Sequence, residues 1–175
     1  FSGIDTSTVI PPDRSTRFTG QETDNSGKPK VRWPVNIAEA RKIQDEYRNK
    51  VKIVPLGKSP DYIAGVDAAF SDDKIIGVAC LYKYPEIVPL EDSCVIEKTT
   101  FPYIPGYLSF REGPAIIHAL RELKRKSDMI LFDGQGIAHP KMLGIASQIG
   151  AILDMPAIGC AKSRLVGEYE EPGKN

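Results

Sequence analysis

Long apolar runs are missing from this sequence. The longest, Ile75 to Tyr82, is eight residues and contains Gly77, well short of the ~18 that a bilayer crossing requires. Cysteine is scarce as well: Cys80, Cys94 and Cys160 make three, with no C-x-x-C spacing, and the only histidines are His118 and His139. Neither a disulfide framework nor a zinc ribbon is expected from that set. Isolated thiols in apolar runs read instead as small buried hydrophobes in a reducing compartment. Net charge is absent too, since 23 Lys and Arg balance 23 Asp and Glu. The total therefore gives no reason to expect a polyanion, although a local basic groove would be enough to bind one. No basic segment followed by an apolar stretch opens the chain, so no secretory signal is expected. What is present is 175 residues, 41% hydrophobic and 26% charged. That is an ordinary soluble composition, long enough for one domain with a substantial core.

Residues 1–35 read differently from the rest. Pro11-Pro12, Gly20, Pro29 and Pro34 punctuate a polar stretch with no helical or alternating period. It is expected to be an N-terminal extension, draped over the domain or disordered. Its cations (Arg14, Arg17, Lys28, Lys30, Arg32) either meet a polyanion or only keep the segment solvated, and Trp33 is a candidate anchor. The domain is placed at 36–175. Asn36 and Glu39 form a capping-box pattern, followed by Ile37, Ala40, Ile43, Tyr47 and Val51 at helical spacing. Strands are expected at Tyr62–Phe70, Lys74–Tyr82 and Ser93–Thr100, the first two joined through Ser71-Asp72-Asp73 and hence antiparallel. A helix at Phe110–Lys126, a strand at Met129–Phe132, a helix at Pro140–Leu153 and a strand at Ala157–Ala161 complete the order. This is an α/β pattern: a mixed sheet, with a three-stranded meander and then parallel strands, flanked by helices. The chain opens on Phe1 rather than Met, and a sheet of this kind that ends on a strand would normally be covered by a further helix. The domain is accordingly expected to be incomplete at its C-terminus.

Three acids stand in unusual places. Asp67 lies inside the apolar run Ala64-Gly65-Val66-Asp67-Ala68-Ala69, Asp133 follows a buried strand and precedes Gly134-Gln135-Gly136, and Glu112 opens the helix between them. A carboxylate in a strand core is costly unless something positive offsets it. A divalent ion such as magnesium or manganese is an economical partner for converging oxygens. Each acid also has a plainer role: Glu112 as the N3 member of a cap with Ser109, Asp133 as a turn residue, Asp67 turned to solvent by strand alternation. Together, on neighbouring strands with a helix start above, they form the kind of set that two-metal phosphodiester chemistry uses.

The loops add to this. Pro102-Tyr103-Ile104-Pro105-Gly106 reads as a stiff aromatic hairpin with Tyr103 and Ile104 at its tip, either a rigid connection or a wedge for a base stack. Lys162 follows the last strand and is either a surface lysine or a phosphate neighbour. His139, before Pro140, is either a helix-entry residue or a site contact. Gly134-Gln135-Gly136 lacks the third glycine of a dinucleotide fingerprint and the ending of a P-loop.

These residues resemble the endonuclease V family, inosine-directed nucleases of the ribonuclease H-like superfamily. The resemblance runs from about Asn36 to Glu171 through YIAGVD (62–67), PYIPGYLSFRE (102–112), DGQGIAHP (133–140) and GCAKSRL (159–165). It implies magnesium, or manganese in its place, at Asp67, Glu112 and Asp133, with Lys162 by the scissile phosphate and His139 close by. Pro102, Tyr103, Ile104 and Pro105 would form the strand-separating wedge. Gly106, Leu108, Gly134, Gly136, Gly159, Ala161 and Leu165 would form a hypoxanthine pocket in which glycines let the main chain approach the base. The implied activity is a DNA repair cut at the second phosphodiester 3′ to deoxyinosine, leaving 3′-hydroxyl and 5′-phosphate ends, by a cytoplasmic, monomeric enzyme. Cleavage of inosine in RNA, and binding of hypoxanthine without cleavage, are the alternatives. The family's usual continuation, a further strand and a helix carrying another residue near the metals, is not in this sequence, and residues 1–35 have no family counterpart.

Overall fold

The computed structural model describes residues 31–168. The cations at 14, 17, 28 and 30, and the acidic stretch from Tyr169, lie outside the described residues. Helix α1 (Ile37–Arg48) starts where the sequence places it: the Asn36 side chain accepts from the Glu39 amide at 2.9 Å. Glu39 returns the bond one residue early, accepting from Val35 N at 3.2 Å. Trp33 lies against Gly113, where an added Cβ would stand 2.7 Å from the indole, so the anchor expected of this residue is in place.

Strands β1 (Tyr62–Ser71), β2 (Lys74–Lys83) and β3 (Val88–Lys98) form the meander, with Asp72 at φ 55 turning the first hairpin. Strand β3 begins earlier than its apolar pattern suggested and includes Pro89. Proline is tolerated there because β3 is an edge strand, and its register shifts opposite Leu81 and Tyr82. Helix α2 (Leu108–Glu122), strand β4 (Met129–Phe132), helix α3 (Ile145–Leu153) and strand β5 (Ala157–Gly159) follow. The sheet order is β3-β2-β1-β4-β5, antiparallel across the meander and parallel from β1 through β4 to β5.

Two helix starts differ from expectation. Helix α2 has Tyr107 at its N-cap with no side-chain cap, and Ser109 instead donates its hydroxyl to Gln148 Oε1 at 2.6 Å. Glu112 is therefore not a capping residue, and that plainer role falls away. Helix α3 begins at Ile145 rather than Pro140, because 137–144 is folded into turns with Met142 at φ 53.

One apolar cluster joins sheet and helices: Val66, Ala79, Ile130 and Phe132 against Ile116, Ile117, Ile145 and Ile149. Helix α2 reaches the sheet closely enough that a Cβ on Gly77 would stand 2.6 Å from the Ala115 carbonyl carbon and oxygen. Both atoms are backbone and cannot swing aside. Gly77→Ala is therefore expected to lower stability by about 1–3 kcal/mol, the usual cost of overpacking, as read from urea unfolding midpoints.

Candidate functional site

In an open sheet with parallel strands, ligands bind beyond the carboxyl ends of those strands. Here that edge is made by β1, β4 and β5. Val66 is the last β1 residue in register with β4, opposite Phe132. Asp67 and Asp133 are the next residues along each strand, and the Asp133 amide donates to Val66 O at 3.4 Å. Val66 turns into the core at 5% exposure, and the alternation of the strand leaves Asp67 exposed. The expected burial cost at Asp67 is therefore absent. Its Oδ1 accepts from the Ala68 amide at 2.7 Å.

The cost falls on Glu112 instead. Half-buried near the start of α2, its carboxyl is pushed up to about 7, first by burial, then by the negative charge of Asp67, with Asp133 adding to the effect and Arg111 opposing it. The acids thus share one electrostatic field, though no three acidic, histidine or cysteine side chains among the described residues form a finished metal cage. An all-oxygen set that resists full ionisation until a positive charge arrives fits a hard divalent cation. A cation already stands beside it: Lys162 Nζ pairs with Asp133 Oδ2 at 3.1 Å, and this bond raises the pKa of the exposed ammonium. Arg111, which the sequence did not single out, donates to Phe101 O at 3.3 Å and lies 4.3 Å over the Phe70 ring. It thereby links the root of the 102–106 loop to the end of β1.

His139 is buried, and burial followed by the nearby Lys141 charge holds its pKa below the ordinary value, which favours the neutral ring. Its Nδ1 accepts from Lys141 N at 3.2 Å, which leaves the proton on Nε2. It does not enter a helix, since α3 starts later. Its Nε2 would lie 3.8 Å from a Cβ built on Gly106.

The segment 102–106 is a loop rather than a hairpin. Tyr103 projects at 68% exposure, whereas Ile104 packs down against Ala40, Phe101 and Phe110. One side chain, not two, occupies the tip. Of the expected pocket residues, Gly134, Gly136 and Gly159 meet through their backbones. A Cβ on Gly159 would stand 2.5 Å from both Gly134 O and Gly136 N, so the fold itself requires glycine there. Gly144, missed in the sequence, closes the same knot: a Cβ on it would lie 2.3 Å from Gln135 O. Gln135 Nε2 donates to Ser163 O at 2.7 Å, joining this loop to the 160–165 segment that carries Ala161 and the exposed Leu165. Gly106 is on the neighbouring loop, and Leu108 is the first residue of α2.

A central strand paired antiparallel on one side and parallel on the other, with acids at its carboxyl-end edge, places the chain among ribonuclease H-like folds. The Endonuclease V family model matches residues 45–175, and the chain belongs to that family. It is 47% identical over 137 residues to Endonuclease V of Geotalea uraniireducens, covering 78% of this chain and 58% of the relative. The Endonuclease V structure from Streptomyces avermitilis superposes with a TM-score of 0.75 at 36% identity, covering 81% of this chain and 64% of that one. Ciona intestinalis Endonuclease V, solved with a DNA containing an inosine followed by a ribo-adenosine, gives 0.65 at 30% identity, covering 73% and 58%. The chain spans about three fifths of the length of the curated relatives it matches.

The raised Glu112 carboxyl predicts a pH-dependent stability. Between its ordinary 4.5 and about 7 the folded chain holds a proton that the unfolded chain has released. Stability therefore falls as pH rises through that window, and the cost is complete above it. In EDTA at pH 8, Glu112→Gln should be more stable than wild type by about 1–2 kcal/mol after allowance for solvent screening. The gain should vanish below about pH 4.5, as followed by thermal melts across pH.

Proposed function

We propose that this chain carries the metal- and base-binding part of a DNA repair endonuclease that nicks beside deoxyinosine. The reading rests on one observation above the others: Asp67 and Asp133 stand side by side just past the last parallel pair of β1 and β4, and Glu112 is held half-buried in their combined field. Asp67, Glu112 and Asp133 would hold magnesium, or manganese in its place. A bound pair of such ions would supply the positive charge that eases ionisation of the attacking water and departure of the 3′-oxygen. The chain's own groups do the rest. Lys162, tethered to Asp133, offers an exposed ammonium to a phosphate at the edge of the acid set. Tyr103 on its proline-flanked loop fills the gap left when the base turns out, a movement that costs less for a weakly paired inosine. The main chain of Gly106, Gly134, Gly136 and Gly159, with Leu108, Ala161 and Leu165, receives the hypoxanthine, and neutral His139 offers its Nε2 proton at the rim. The cut falls at the second phosphodiester 3′ to the lesion and leaves 3′-hydroxyl and 5′-phosphate ends.

A second reading, cleavage at inosine in RNA, has one observation in its favour: the Ciona relative was solved on a strand with a ribo-adenosine directly after the inosine. Matched single-stranded DNA and RNA oligonucleotides, each with one inosine, separate the two on a gel with and without magnesium.

Asp67→Ala is expected to abolish nicking while inosine-dependent binding, measured by fluorescence anisotropy, stays within about threefold of wild type. Parallel loss of both in a folded variant would show that Asp67 holds the nucleic acid rather than the metal. Tyr103→Ala should reduce the preference for inosine over adenosine by about tenfold, with less effect on affinity for undamaged strands. An unchanged preference would make the loop a structural connection only.

A further inference from the structure

Helix α1 sends three side chains from one side toward the loops that border the proposed base pocket. Arg41 Nε donates to the Tyr107 hydroxyl at 3.3 Å, Gln44 Nε2 donates to Gly106 O at 2.7 Å, and Asp45 Oδ1 pairs with Lys141 Nζ at 3.4 Å. Positions 41, 44 and 45 are three and four apart, so they share a helix face. The outer two contacts are exposed and of the kind that contributes little.

Gln44 is different. It is 1% exposed, and its bond joins residues 62 positions apart in sequence. Its Oε1 is buried with no partner among the described residues. A methionine or leucine would fill the same space without leaving an oxygen unpaired, so what the amide contributes is its single bond to Gly106.

The recipient of that bond is also unusual. Gly106 is exposed, sits at φ 82, and has only His139 Nε2 within 4 Å of where a Cβ would be. The turn Ile104-Pro105-Gly106-Tyr107, closed by Tyr107 N donating to Ile104 O at 3.0 Å, sets this φ locally, and the Gln44 bond fixes where the turn sits against α1. We propose that Gln44 is the positioning residue that holds Gly106, and thereby fixes the gap between the Tyr103 loop and the buried His139 ring. Its link to base recognition rests on the inosine reading above. Its hold on the loop does not.

Gln44→Met keeps the length of the side chain and removes the donor. In hydrogen exchange followed by mass spectrometry, residues 103–109 should exchange roughly tenfold faster, while 62–70 and 129–132 stay unchanged. Gln44→Leu, the second variant should Met fold poorly, should give the same local pattern. Unchanged exchange at 103–109, or a rise of equal size in every segment, overturns the proposal whether or not the protein cuts nucleic acid. With inosine and adenosine oligonucleotides, Gln44→Met should raise KM for inosine about tenfold and leave kcat within about twofold. A fall confined to kcat would overturn the positioning role. A wild type without preference for inosine would overturn the substrate reading, while the exchange pattern still decides the role of Gln44.

Discussion

The parallel pairing of β1 with β4 is the constraint on which the rest of the site depends. Its register runs from Ile63 opposite Met129 to Val66 opposite Phe132 and then stops. Because parallel strands advance together, the two residues after the stop, Asp67 and Asp133, stand at the same level, where β4 ends and β1 runs on against β2 alone. A slip of one residue would send Val66 to solvent and an aspartate into the cluster of Ile130, Phe132 and Ile149. The core therefore sets the spacing of the acids: apolar side chains that cannot leave the interior hold the register that brings two carboxylates together.

Helix α2 adds the third acid under a similar constraint. Its approach to β2 is fixed by the absence of a side chain at Gly77, and its first turns are fixed by Phe110 in a cluster with Phe101 and Ala40. The backbone of Glu112 cannot withdraw from Asp67 without moving that helix off the sheet. The chain thus bears a burial cost and, after it, a like-charge cost in one half-buried carboxyl, and a bound cation is what would offset them.

Much of this was legible in the sequence, for identifiable reasons. The β1–β2 hairpin announces itself through Ser71-Asp72-Asp73 between two apolar runs, and the acids were visible because charge is conspicuous inside such runs. The start of α2 was misread because Ser109 followed three residues later by Glu112 has the form of a cap, yet the hydroxyl finds a better partner in Gln148, 39 residues away. No local pattern encodes that choice. Helix α3 was drawn too long because Pro140 suits a first turn, whereas the close backbone contact between Gly144 and Gln135 delays the helix until there is room for it. In α1 the apolar series suggested a face running through Ile37, but the buried pair is Ala40 and Gln44, and Ile37 is 43% exposed. A glutamine four residues after a buried alanine was the available clue, hidden because amides are counted as surface residues.

The knot of Gly134, Gly136, Gly144 and Gly159 has a consequence for how such a protein can diversify. Main chain packed on main chain leaves no tolerance at Gly144 and Gly159, and at Gly134 an added carbon would stand 2.6 Å from the Ile145 side chain. Any change in what this surface accepts has more room on the perimeter, where Leu165 and Tyr103 are exposed. Substitution there can exchange rings, branches and charges, while the floor beneath them has little room for any side chain.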